Sequence, residues 1–266
     1  MLVSTNLDYV SHLARESARF AAAVTEAAPG ASVPTCPKWD VDDLLWHLAE
    51  VQWFWGTIVR QALQAPPSAE ARPERPASRS ELASFYAVVS AELASALGSA
   101  APQDRVWTWS SDQTVGFVRR RQAHEALIHR IDAELTAGSR TPMDAQLSDD
   151  GIDEALRVMY GHAPDWAAFS PSGAGIVRLR AADTGNTWLI GTGRLTGTDP
   201  DDGAPVDEAC LQVADDRGAE AEATLTGSAA DLDCWLWRCP TVGSLERAGD
   251  HRLLEHLEVV IRAGID

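Results

Sequence analysis

The chain has 266 residues, 45% of them hydrophobic and ten of them tryptophan, enough to fill one large core or two ordinary ones. A formal charge of -17 argues against nucleic acid and anionic membrane surfaces as partners, since both require clustered cations. Four cysteines, Cys36, Cys210, Cys234 and Cys239, show no CxxC spacing and read as buried or incidental thiols.

The N-terminus carries Asp8 and Glu16 where a signal peptide would want cations, and no segment is expected to approach the roughly 20 apolar residues of a membrane span. The expectation is a cytoplasmic protein without a membrane partner. Residues 6–28 place Leu7, Val10, Leu13, Ala14, Ala21 and Val24 at helical spacing, stopped by Pro29-Gly30. Asp40, with Asp42 and Asp43 behind it, predicts the N-cap of a second helix running to about Leu63. Residues 64–78 hold four prolines and read as a mobile connection. A third helix is predicted from Ser80 to Leu97, stopped by Gly98, and a fourth from Val115 to Ala137, ended by Gly138. Between these two helices, the tryptophan-bearing residues 106–116 read as irregular.

The pattern changes after Pro142. A helix is predicted over 149–161. Residues 176–180 and 187–191 alternate as strands about the turn Asp183-Thr184-Gly185-Asn186. Further strands are predicted at 194–198, 209–214 and 220–226, and helices at 228–237 and 250–263. The fold class is therefore α plus α+β: a four-helix bundle over 1–150, then a smaller α+β domain over 160–266, with the boundary near 145–165.

Within the fourth helix, Glu125 and His129 lie four residues apart and project from one face, with Asp132 one turn further along. His124 is five residues before His129, about 140° away around the helix, and cannot share an ion with it. A third ligand must come from another helix. His47 on helix two lies within about 60° of the apolar stripe Leu44, Val51 and Phe54, so it faces the bundle interior. Spacing alone leaves His47, Glu125 and His129 open between a metal site and ordinary buried polar residues. Glu125 has no evident alternative partner in the sequence, which favours the metal. Arg119, Arg120 and Arg121 read as a solvated face, although one of them could turn inward. Trp46, Trp53, Phe54 and Trp55 read as core packing in preference to a cleft for a sugar-bearing thiol.

The helix start with Trp39-Asp40, followed by Leu44-Leu45-Trp46-His47-Leu48, and the later His124-Glu125-x-x-x-His129-Arg130-x-Asp132-Ala133-Glu134 resemble the mycothiol-dependent maleylpyruvate isomerase family. Residues 224–232, Trp235-Leu236-Trp237-Arg238 and Gly249-Asp250 extend the resemblance to that family's C-terminal domain. The resemblance implies a DinB-like N-terminal bundle and a sterol-carrier-like second domain. It also implies zinc held by His47, Glu125 and His129, with mycothiol as thiol cosubstrate. Asp132 then becomes a candidate for orienting His129, against a surface salt bridge with Arg130 or Arg121.

Two imidazoles and one carboxylate leave one open position on zinc, where a small thiol could be deprotonated. The implied reaction is thiolate addition to an electrophile, followed by rotation and elimination, as in maleylpyruvate isomerisation. Arg238 is the candidate for holding the anionic substrate. The family commonly carries Gly-Arg there, whereas Trp237 precedes Arg238 here. The competing readings are a mycothiol S-transferase, a non-catalytic ligand-binding module and a zinc hydrolase. A monomer and a homodimer are both compatible with the sequence.

Overall fold

The computed structural model describes residues 7–161, 163–200, 202–214 and 220–263. The chain divides into two compact units after Pro142. The helical unit consists of α1 (Tyr9–Glu26), α2 (Val41–Gln61), α3 (Arg79–Ser99) and α4 (Val115–Thr136). α1 packs on α3 and α4, and α2 on the same two helices. Phe20, Leu44, Leu45, Leu48, Leu82 and Val89 fill the space between them.

Side chains set where the helices start. Asp40 accepts from the backbone N–H groups of Asp42 and Asp43, and Asp43 returns a bond to the Asp40 N–H, closing a capping box at α2. Ser78 and Glu81 do the same for α3, which starts at Arg79. Thr114 accepts from the Phe117 N–H at the head of α4.

The predicted stop of α3 at Gly98 is not observed. The helix continues through Ser99, because the Arg119 guanidinium donates to the carbonyls of Leu97 and Ala100 and satisfies its C-terminus. By length and composition α3 is also apolar enough to cross a membrane, with a mean hydropathy of 1.3 over its best window, contrary to the expectation for any segment. Its Leu82, Tyr86, Val89, Leu93 and Leu97 stripe lies in the bundle core.

The proline-rich connection is held to α2 by Arg72 on Glu50 and by Arg75 Nη1 at 2.6 Å from Asp43 Oδ1. The irregular segment before α4 stacks Trp107 on Trp55 and sets it edge-to-face with Phe54, both on α2.

The second unit is α+β. α5 (Ala145–Glu154) continues into a π-helical turn (Ala155–Met159), followed by β1 (Ala167–Ala181), β2 (Thr187–Thr198), β3 (Pro205–Val213), β4 (Ala223–Gly227), α6 (Ala229–Leu236), β5 (Glu246–Gly249) and α7 (His251–Ala263). The sheet order is β3-β2-β1-β4-β5, with β1 and β4 parallel and the other neighbours antiparallel. The two strands predicted at 187–191 and 194–198 are one continuous β2. β1 begins well before its predicted start and carries an irregularity between Pro171 and Ile176. β5 was not predicted, because its four residues are all exposed and show no apolar alternation.

Ile152, Ala155 and Leu156 are buried with Leu179, Ile190, Leu225 and Leu257 of this unit. α5 therefore belongs with the sheet, and the units separate at 142/143, ahead of the sequence-based boundary.

Candidate metal centre

α4 is polar almost all round, yet most of it is buried, so each polar side chain must find a partner. Along one face, His129 Nε2 lies 3.1 Å from Glu125 Oε1. From α2, His47 Nε2 comes within 3.4 Å of the same oxygen. The two imidazoles meet edge-to-face with ring centres 4.8 Å apart, and one ligand atom from each of the three residues lies within 4.8 Å of the others. Asp132 Oδ2 is 2.9 Å from His129 Nδ1, and its other oxygen accepts from Thr35 Oγ1 at 2.5 Å. Asp132 is placed to hold the Nδ1 proton, so that in the neutral ring the Nε2 lone pair would face His47 and Glu125. Side-chain exposure falls from 33% at His47 to 17% at Glu125, 14% at His129 and 3% at Asp132, so solvent reaches the cluster from the His47 side.

Arg121 corrects two expectations. It is not a solvated residue but only 5% exposed, and its Nη2 donates to Glu125 Oε2 at 2.7 Å. Glu125 thus has a cationic partner besides any metal. Burial works against its ionisation, but Arg121 and the two histidines outweigh that and hold its carboxyl well below the usual range. Burial likewise disfavours the charged form of His129, but Asp132 and Glu125 outweigh it and raise its pKa to about 10. Arg130 turns away from Asp132 into a fully buried cluster, with Nε 2.9 Å from Glu16 and Nη1 2.9 Å from Glu134. His124 is buried edge-on against Tyr9, apart from the three donors.

Two imidazole nitrogens and one carboxylate oxygen, one of the rings oriented by a second carboxylate, form a donor set that fits a divalent ion of borderline softness. Residues 10–134 match the profile of the mycothiol maleylpyruvate isomerase N-terminal domain.

Over those residues the chain carries a mycothiol maleylpyruvate isomerase N-terminal domain.

Two solved structures share the fold: the mycothiol-dependent maleylpyruvate isomerase and a histidine-to-alanine mutant of it. For the first, the TM-score is 0.60 at 12% identity over 91% of this chain and 93% of that one. For the mutant, the TM-score is 0.57 at 12% identity over 86% and 87%. No curated protein sequence matches the chain.

The backbone at Arg238, the residue read from the sequence as a substrate holder, is unusual. The residue follows α6, is exposed, and takes a left-handed backbone with φ of 60°, the conformation glycine adopts most easily at a helix C-terminus. Arginine itself thus makes the turn after Trp237.

The aromatics of helix two largely pack as expected, and some of them also face a cavity. Trp46 does pack against Phe85, as a core residue should. Trp53 packs on that core and Trp55 is buried in the bundle, and together with Phe54 they also line a cavity of about 370 Å³ that includes His47, Glu50 and Arg72. Spacing had indicated helical aromatics, but three consecutive rings span too much of the helix circumference to show which of them face the core.

Proposed function

We propose that this protein is a metal-dependent enzyme that uses mycothiol as a nucleophile against a small electrophile, with maleylpyruvate-like cis-trans isomerisation as the reaction. The observation that carries this reading is the convergence of His47, Glu125 and His129 from two helices on one point. The match of the N-terminal domain and the shared fold support it. Zn²⁺ held by His47 Nε2, Glu125 Oε1 and His129 Nε2 would keep one position open and favour the thiolate form of a thiol at neutral pH.

The chain's own residues set up the chemistry. Asp132 fixes the His129 tautomer through Nδ1, and Arg121 keeps Glu125 ionised and in place. Arg238 supplies a guanidinium suited to a carboxylate of the electrophile, where it would stabilise the enolate that forms as sulfur adds to the double bond. Rotation about the resulting single bond and expulsion of the thiolate would complete the isomerisation with no net loss of thiol. The acidic balance argues against nucleic acid and anionic membrane surfaces and leaves small molecules as the class acted on.

The left-handed Arg238, without the glycine expected before it, favours a second reading. In it, the same thiolate is transferred to a different electrophile and stays attached, as in a mycothiol S-transferase.

Metal analysis of wild type and His129→Ala, followed by incubation with mycothiol and maleylpyruvate, tests both. The proposal expects metal in wild type only and thiol-dependent formation of fumarylpyruvate. Metal content unchanged by His129→Ala would refute the metal site. Turnover independent of thiol would point to hydrolysis by metal-bound water. Ligand binding untouched by His47→Ala and Glu125→Ala, without turnover, would point to a binding module.

A further inference from the structure

The cavity beside His47 has a construction that the metal centre does not explain. The buried face of α2 carries Leu44, Leu45, Leu48, Gln52 and Ile58 into the bundle, so the half-exposed stripe His47, Glu50, Trp53 and Phe54 is what faces the cavity. Its volume, about 370 Å³, is within the usual range for a small-molecule site. Rings from Trp53, Phe54 and Trp55 form its apolar wall. The polar edge is Glu50 from α2, paired with Arg72 from the connection after it.

These two charges cancel, so the cavity offers no net attraction to a dianion such as maleylpyruvate. It offers ring faces for C–H surfaces, together with one acceptor pair and one donor fork for hydroxyl groups. That combination suits a neutral, polyhydroxylated ring. Phe54 lies seven residues after His47, about 10 Å along the helix axis, so a ligand in the cavity can extend an arm back to the metal donors.

We infer that this cavity holds the sugar portion of the thiol cosubstrate, with Trp53 and Phe54 under the ring faces and Glu50 and Arg72 on the hydroxyls. The inference rests on the thiol reading above and assigns its carrier a seat separate from the metal ligands.

The test uses the intact protein and N-acetylglucosaminyl-inositol, a neutral pseudodisaccharide that lacks sulfur, in calorimetric titrations. Wild type and His129→Ala should bind it equally. Trp53→Ala should bind about tenfold more weakly, equivalent to about 1.4 kcal/mol. Glu50→Gln, which keeps the side-chain shape, should also weaken binding and decides the matter if Trp53→Ala fails to fold by circular dichroism. No binding to wild type, or equal binding by wild type and the folded cavity variants, would overturn the assignment. Mycothiol itself should bind wild type more tightly than the pseudodisaccharide and lose that advantage in His129→Ala. If the pseudodisaccharide binds as described but mycothiol gains nothing from His129, the cavity assignment stands and the thiolate reading fails.

Discussion

Replacing Asp132 with alanine removes the acceptor that holds His129 Nδ1 at 2.9 Å, and with it the hydrogen bond from Thr35. In the intact protein that acceptor keeps the neutral ring's proton on Nδ1 and leaves Nε2 free to donate to a metal. Without it, the other tautomer and other ring orientations become accessible. Loss of such an orienting partner costs about 10–100-fold in metal affinity, roughly 1.4–2.7 kcal/mol. Asp132 is 3% exposed and its bond to His129 is charge-assisted, so the upper part of that range applies. We expect zinc affinity to fall about 30–100-fold in Asp132→Ala and about tenfold in Asp132→Asn, which retains a carbonyl acceptor. Competition against a chromophoric chelator at fixed pH measures both, with circular dichroism confirming the fold. As a control, Thr35→Val should lower thermal stability while changing zinc affinity less than about threefold. If folded Asp132→Ala binds zinc within about a factor of two of wild type, the orienting role is wrong. Asp132 would then be only a tie between α4 and the segment before α2.

The metal-free protein should respond to pH through His129. Its pKa of about 10 lies above the ordinary 6.5, so the stabilisation it provides is complete below about pH 6.5 and is lost as pH rises through about 10. The Tm of chelator-treated protein should fall across that interval, and zinc uptake at pH 7 should release about one proton, read by calorimetry in buffers of different ionisation enthalpy. A flat Tm profile would contradict the ring's partnership with Asp132 and Glu125. Arg238→Gly should raise stability by about 1 kcal/mol in chemical denaturation, by relieving the left-handed backbone, while lowering turnover if the guanidinium holds substrate. Arg130→Met should cost about 3 kcal/mol, the lower end for breaking a buried pair because Glu16 keeps Arg15 and Arg19 and Glu134 keeps Thr141, yet leave zinc affinity of the folded protein unchanged.

Much of the candidate site was legible because helical geometry is rigid. Four-residue spacing put Glu125 and His129 on one face, and the apolar stripe of α2 aimed His47 inward. The capping box at Asp40 and the hairpin turn at 183–186 followed from local chemistry in the same way. What escaped detection depended on partners distant in sequence or on a face that periodicity leaves open. Arg119 sits twenty residues or so from the α3 carbonyls it caps, so Gly98 looked like the stop signal. Arg121 and Glu125 are four apart, a spacing that permits a pair, but a run of three arginines reads equally well as a solvated face. The aromatic wall of the cavity is hard to tell from core because Trp53 and Trp55 do both, packing on the bundle interior and lining the cavity. β5 has no signal of its own and forms only because β4 offers it an edge.

α4 is fastened along two lines at once. Glu125, His129 and Asp132 are held on one side, while Arg130 and Glu134 lock into Glu16 and Thr141 on the nearly opposite side, about 150° around the helix. Sliding the helix by one residue would rotate every side chain by about 100° and break both sets together. The buried arginine cluster, far from the chemistry, therefore acts as a keyway that sets the angle of the donors before any ion arrives. Loaded with the ion proposed above, a site prepared in this way would lose little conformational freedom and would disfavour ions whose preferred geometry required the helix to turn.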